Sequence, residues 1–298
     1  MKKILTYIAA STVAIASCSA ANGHDGELDL NTAEGAHKAM RKVQCSLVDN
    51  EPVTYYWFGQ ALSRRMGERD KILFDVEGMN VRSCSSISDP KRGQGYHLVT
   101  REILLYKDAE TGEILKTWDN PWTGEEVEVM HVANDPVNHK SYVNGRDGKP
   151  GEFAGDILGD KWQMNFTIPL FYPNPLASEY QTEIGGTYHA TEMFNFLGDL
   201  EDLKDGSKNT ADVAVGWARM SDWLPWMKMG GRDGIIYMHT AGRKLESWDD
   251  MPSSMKNEIK KNYPEYVAPP PAGDPRPNMT SWKYYKAVKD GEVKLPKR

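Results

Sequence analysis

The sequence predicts a mainly β protein, a single antiparallel β-barrel or strongly curled sheet with an N-terminal helix, a C-terminal helix and a Pro-rich arm. Three observations carry this. Apolar residues alternate with period two in run after run from Val53 onward. Hairpin-length turn signals such as Gly67-Glu68-Arg69-Asp70 and Thr111-Gly112 separate the runs, and few helical stretches intervene. Such a meander favours antiparallel pairing over a parallel doubly wound sheet. About nine strands in a flat open sheet would leave long unpaired edges, whereas curling or closure hides them and creates an interior able to hold a ligand. A two-layer sandwich with a filled core is the alternative.

The elements follow in order. Residues 1–17 read as a signal sequence, with Lys2 and Lys3 as the charged start and Ile4 to Ala16 as an apolar stretch too short for a stable anchor. Ile15-Ala16-Ser17-Cys18 has the form of a bacterial lipobox, with Cys18 as the lipidation site. Cleavage after Ser19-Ala20-Ala21 is the rival. Residues 18–30 are polar and suit a flexible tether. Residues 31–298 form one β-barrel-like domain in this reading. Asn31 and Glu34 form a capping pair for a helix reaching Leu47, with Ala36, Ala39, Met40 and Val43 on one face.

Strands are expected from Val53, over Ile72 to Cys84, Gly95 to Lys107, Glu113 to Trp118 and Glu126 to Ala133. Four more follow: Lys161–Ile168, Gly186–Leu197, Thr210–Met220 and Gly234–Ala241. Leu245 to Asn262 reads as a helix ended by Tyr263-Pro264. The arm, residues 263–298, then runs through Pro269-Pro270-Pro271 and carries Trp282, Tyr284 and Tyr285. Aromatics of this kind are expected to pack back on the barrel, because leaving each in water forfeits roughly 2 kcal/mol.

Composition narrows the function. The 298 residues are 40% hydrophobic, with 36 Lys+Arg against 42 Asp+Glu and a net charge of -6. Their mean hydropathy is -0.60. These values exclude a multi-span membrane protein and a disordered chain, and the acidic balance argues against nucleic acid as a partner. Contact with a membrane is expected through the lipid anchor only. The implied location is the periplasmic side of a bacterial envelope, anchored to the outer membrane. In that oxidising compartment the two remaining cysteines, Cys45 and Cys84, are expected to form a disulfide, with two buried thiols as the alternative.

Nine Trp and 14 Tyr against seven Phe suit a cavity for a small apolar or cyclic organic ligand, and suit equally an ordinary core with amphipathic aromatics at its rim. The densest stretch, Trp217 to Gly230, holds Trp217, Trp223 and Trp226. Period two places Arg219 on the face of Val213, Val215 and Trp217, so its guanidinium is directed inward and needs an acidic partner such as Glu192 or an anionic ligand. His131 shares a face with Val127 and Val129, and His239 one with Ile235 and Tyr237, so both are candidate proton-transfer groups; each has a hydrogen-bonded core role as its plainer reading. Asp222 follows Arg219 at a strand end. Tyr188 and Glu192 share the inward face of their strand, which turns His189 the opposite way and makes the apparent HxxE a poor metal motif. No nucleotide or phosphate loop is present, so no cofactor is expected, and no serine sits in a nucleophile motif.

The Trp217–Gly230 segment, Gly234-Ile235-Ile236-Tyr237-Met238-His239 and Pro277-Asn278-Met279-Thr280-Ser281-Trp282 resemble the bacterial family catalogued as domain of unknown function 1838. Asn120-Pro121-Trp122-Thr123-Gly124 and Asn134-Asp135-Pro136-Val137 do so as well. Met279 departs from the pattern, standing where a polar residue is expected. The resemblance implies one domain over most of the chain and supplies no reaction. The expected function is therefore ligand binding in an aromatic pocket, with a cofactor-independent lyase, isomerase or hydrolase built on His131, His239, Arg219 and Asp222 as its catalytic form. The alternatives are a non-catalytic carrier and a structural envelope lipoprotein.

Overall fold

The structure is a computed structural model describing residues 26–176 and 186–296. Its elements are α1 (Ala33–Gln44), β1 (Val53–Arg64), β2 (Lys71–Asp89), β3 (Gly93–Lys107), β4 (Thr117–Asp119), β5 (Glu126–Glu128), β6 (Val132–Tyr142), β7 (Asp156–Leu158), β8 (Lys161–Pro173) and β9 (Thr187–Asp199). They continue with α2 (Leu200–Lys204), β10 (Ala214–Ser221), β11 (Ile235–Lys244), α3 (Ser253–Asn262) and α4 (Ser281–Lys289). Nine strands form one antiparallel sheet in the order β6-β3-β2-β1-β11-β10-β9-β8-β7, and β4 pairs with β5. Two meanders are thus joined where the last strand, β11, pairs with the first, β1, from Tyr55 opposite Lys244 to Arg64 opposite Ile235.

The sheet is strongly curled and open, with β6 and β7 as its edges. Curling brings Glu102 and Tyr106 of β3 into electrostatic contact with Arg219 of β10, although three strands lie between them. Two apolar clusters flank the concave side. At one end α1 packs Ala39 and Val43 against Tyr55, Trp162, Met164 and Val213, and the Tyr55 hydroxyl donates to the Val43 carbonyl at 2.5 Å. At the other end Phe74, Val76, Tyr106 and Met238 meet Trp226 and Trp282.

The arm packs back, as its aromatics require. Trp282 is 1% exposed, Met279 N–H donates to Pro136 O at 2.8 Å, and Asn278 exchanges two hydrogen bonds with the backbone of Asn138. These contacts occupy the outer side of β6 and protect one sheet edge from a foreign strand.

Several boundaries differ from the sequence expectation. The cap of α1 is Thr32, whose hydroxyl accepts Gly35 N–H at 3.1 Å, because Asn31 is engaged with Asp29. The helix stops at Gln44, so Leu47 lies beyond it. The signal sequence, Cys18 and the tether before residue 26 lie outside the described residues. The end of the expected tether is docked: Leu28 N–H donates to Lys204 O, and Leu30 enters the α1 cluster. Glu126–Ala133 is not one strand, since Val129, Met130 and His131 are all buried and the chain passes through the core between β5 and β6. β6 is masked in sequence by Pro136, which an edge strand tolerates. The long C-terminal helix starts only at Ser253, after Pro252.

The docking of α1 should be pH-sensitive. Gln44 Oε1 meets the Tyr96 hydroxyl at 2.9 Å and His139 Nε2 at 3.0 Å, while His37 lies against Tyr96 at 4.9 Å. Partial burial lowers His37, against a hydrogen bond to the Ser141 backbone that raises it. A histidine neutral when folded binds its proton more readily when unfolded, so the stability it contributes is full above the ordinary value of about 6.5 and is lost as pH falls through the lowered folded value. The melting temperature should decline as pH drops below about 6.5, and His37→Gln should flatten the decline. An identical profile for the variant would remove His37 from this role.

Candidate functional site

Period two fixes which side chains face the concave trough. On β10 these are Val215, Trp217, Arg219 and Ser221, and on β9 their direct partners are Phe196, Phe194, Glu192 and Ala190. On β3 the trough-facing residues include Glu102 and Tyr106. Glu102 stands opposite Asn80 of β2 on one side and Asn134 of β6 on the other.

Arg219 is the centre of this surface. It is 7% exposed. One of its terminal nitrogens donates to the Tyr188 hydroxyl, another lies 3.6 Å from Glu192 Oε1, and Nε is buried with no partner among the described residues. Burial works against its charge, but Tyr188, Glu192, Tyr106 and Tyr172 outweigh it and hold the guanidinium above its ordinary value. Tyr188 is fixed in turn by Tyr172 and Trp282, with ring centroids at 4.9 and 5.0 Å. Burial raises the Tyr188 phenol, and Arg219 opposes that rise.

Glu102 is the second charged group. Burial pushes its carboxyl up; Arg82 opposes, Glu192 adds, and Asn134 and Arg219 oppose more weakly. Arg82 donates from Nε to Asn80 Oδ1 at 2.9 Å and lies over the Tyr55 ring at 4.8 Å. The Oδ1 of Asn134 is buried without a partner among the described residues. Trp57 lies flat on Gly78, where any Cβ would come within 2.4 Å of the indole, so only glycine lets the ring rest on the trough floor. Trp57 and Trp217 meet edge to face at 6.4 Å, and both are half-buried.

The candidates from the sequence divide sharply. Arg219, Glu192, Tyr188 and Trp217 gather in the trough. His131 is buried, but its Nδ1 accepts Tyr106 N–H and its Nε2 meets Leu115 O, both at 3.0 Å, so the ring is a brace between backbone segments. His239 and Tyr237 do share a face, yet it is the convex one: Ile236, Met238 and Thr240 point inward instead. Tyr237 donates to Asp70 at 2.8 Å. Both line an open depression of about 450 Å³ with Phe58 and Leu62. That depression lies on the opposite side of the sheet from Arg219, Glu192 and Glu102.

Asp222 pairs with the backbone of His189, accepting its N–H at 3.1 Å, and so closes the β9–β10 ladder; burial raises its carboxyl. Trp223 packs on Trp122 at 5.1 Å, and Trp226 on Tyr106 at 5.4 Å. These two are core residues beyond the trough end. His189 faces the convex side against Phe171, as the period requires. Sequence reasoning missed Glu102, Arg82, Asn134 and Trp57. Glu102 follows Leu98 and Thr100 and precedes Leu104 and Tyr106 on one face, the pattern that exposed Arg219. On β3, however, Val99, Ile103 and Leu105 are apolar too and hide it.

Fold and site together define a class: open, curled antiparallel sheets whose concave face carries two arginines and two glutamates among tryptophans and tyrosines. Residues 50–289 match the family described as "Protein of unknown function (DUF1838)", and the chain belongs to that family. No curated protein matches the chain.

Proposed function

We propose that the trough binds a small cyclic or largely apolar organic molecule carrying an anionic or enolate-like oxygen. Arg219 anchors that oxygen, and Trp57, Trp217 and Phe194 form the wall. One observation carries this reading: a guanidinium more than nine-tenths buried has no partner for its Nε among the described residues, a costly arrangement unless a ligand completes it. Half-buried aromatics beside it supply stacking surface. The histidine-based enzyme loses its support, because His131 is braced by backbone and His239 is on the other face. Export to the periplasm with a lipid anchor on Cys18 belongs to the same proposal. It is supported by the charged and apolar start of the sequence and by the Cys45–Cys84 bridge.

Anilinonaphthalene sulfonate, a fused-ring anion, tests the anchor through energy transfer from tryptophan. Wild-type protein should bind it saturably, and Arg219→Met should weaken binding by about tenfold or more, the value of one charge-assisted hydrogen bond. The double variant Arg219→Met/Glu192→Gln removes the carboxylate left unpaired and should bind as weakly while melting normally. Equal affinity in all three proteins would sink the assignment. Native mass spectrometry of protein from its source then looks for the retained molecule.

A further inference from the structure

We infer that the trough is an acid–base site in which Glu102 transfers a proton to and from carbon of a cyclic substrate while Arg219 holds the oxygen that becomes negative. The inference rests on the binding reading above and deepens it by naming the reaction and the substrate class. Its footing is geometric. Glu102 projects from β3 onto the concave face between Asn80 and Asn134. Period two puts Arg219 and Glu192 on this same face, and both act electrostatically on Glu102, so an acid–base group and an oxygen-binding group share one face with Trp57 and Trp217. On the same face, the Nε of Arg219 and the Oδ1 of Asn134 are buried polar atoms without hydrogen-bond partners among the described residues.

The chemistry follows from the groups present. The Glu102 carboxylate removes a proton from the carbon that lies between a ring carbonyl and a C=C bond. The C–H electron pair becomes a C=C bond to the carbonyl carbon, and the carbonyl pair moves to oxygen as a dienolate, which accepts a hydrogen bond from Arg219. The protonated Glu102 then returns the proton to the far carbon of the original C=C bond, whose electron pair forms the new C–H bond as the carbonyl re-forms and the double bond moves into conjugation with it. The carboxylate is regenerated, nothing is oxidised or reduced, and the product is an isomer. Charged groups face Glu102 from three strands: Arg82 on β2, Glu192 on β9 and Arg219 on β10, with neutral Asn134 on β6. Burial and Glu192 favour the protonated acid, and the arginines favour the carboxylate, so the basicity exceeds that of a glutamate in water.

The probe for such a base is 5-nitrobenzisoxazole. Loss of its ring C–H proton to a carboxylate forms a C≡N bond as the N–O bond breaks, and leaves a coloured nitrophenolate whose oxygen suits Arg219. Wild-type protein should accelerate this elimination well beyond buffer, and Glu102→Gln should reduce the protein-dependent rate by about a hundredfold, within the range for loss of a general base. The rate should rise with pH to a plateau, with a midpoint above the ordinary glutamate value. Glu192→Gln should lower that midpoint by removing a like charge, which a merely structural glutamate would not reproduce. Binding of the same compound is followed by tryptophan quenching. If it binds and is turned over at the buffer rate, or equally by Glu102→Gln, the acid–base inference is overturned and the binding reading stands. If neither it nor anilinonaphthalene sulfonate binds, both fall.

Discussion

Replacing Cys45 and Cys84 together by alanine is expected to destabilise the protein by about 4 kcal/mol, the loop-closure value for a cross-link of this span. The bridge joins residues 39 apart, with Cα atoms 6.1 Å from each other. It replaces the alternative of two buried thiols and ties the end of α1 to the middle of β2. Both cysteines are buried against Tyr96 and Leu98, so the bridge also locks the helix that plugs one end of the trough. Urea unfolding of the oxidised protein, the double variant and the wild type under reductant should give a lower midpoint in the last two. Coincident curves would mean that the bridge constrains nothing in the unfolded chain. The loss should be felt first at α1, where hydrogen exchange of Ala39 and Val43 should accelerate before that of β2.

The fold was legible where one face of a strand is wet. β9 and β10 alternate cleanly because their convex side meets solvent, and there period two placed Tyr188, Glu192, Trp217 and Arg219 correctly. It was less legible where both faces are covered. β3 lies between the trough side and the convex layer that includes Tyr266 and the start of the arm, with Arg101 donating to the carbonyls of Glu265, Ala268 and Pro269. Its sequence therefore reads as a near-continuous apolar run, and the single inward carboxylate is lost within it. β6 failed for a different reason, since an edge strand accepts a proline that a central strand would not.

Phase was harder to read than period. The alternation of β11 was correct, but Ile235, Tyr237 and His239 on one face and Ile236, Met238 and Thr240 on the other are both apolar enough to be inside. What decides is the partner strand: Arg219 stands opposite Met238, and Ala61 opposite Met238 from the other side, so Met238 belongs to the concave face. That information is not local. The same holds for the pairing of Glu102 with Arg219, which depends on how far the whole sheet curls rather than on any stretch of sequence.

Trp282→Ala should cost about 3–5 kcal/mol, the range for deleting a fully buried large aromatic, and should weaken the trough as well. Trp282 is 1% exposed and packs edge-on against Tyr188, the residue that accepts a hydrogen bond from Arg219. Removing it leaves a void behind the phenol that α4 cannot fill without shifting, because Thr280 caps the helix and Met279 is tied to Pro136. The arm thus supports the anchor from outside the sheet, and stability and ligand affinity should fall together. Trp282→Phe, which keeps an aromatic ring against Tyr188, should recover much of both. If Trp282→Ala lowered the melting temperature yet bound anilinonaphthalene sulfonate like the wild type, Tyr188 would hold Arg219 without the arm, and α4 would serve only to cover the edge at β6.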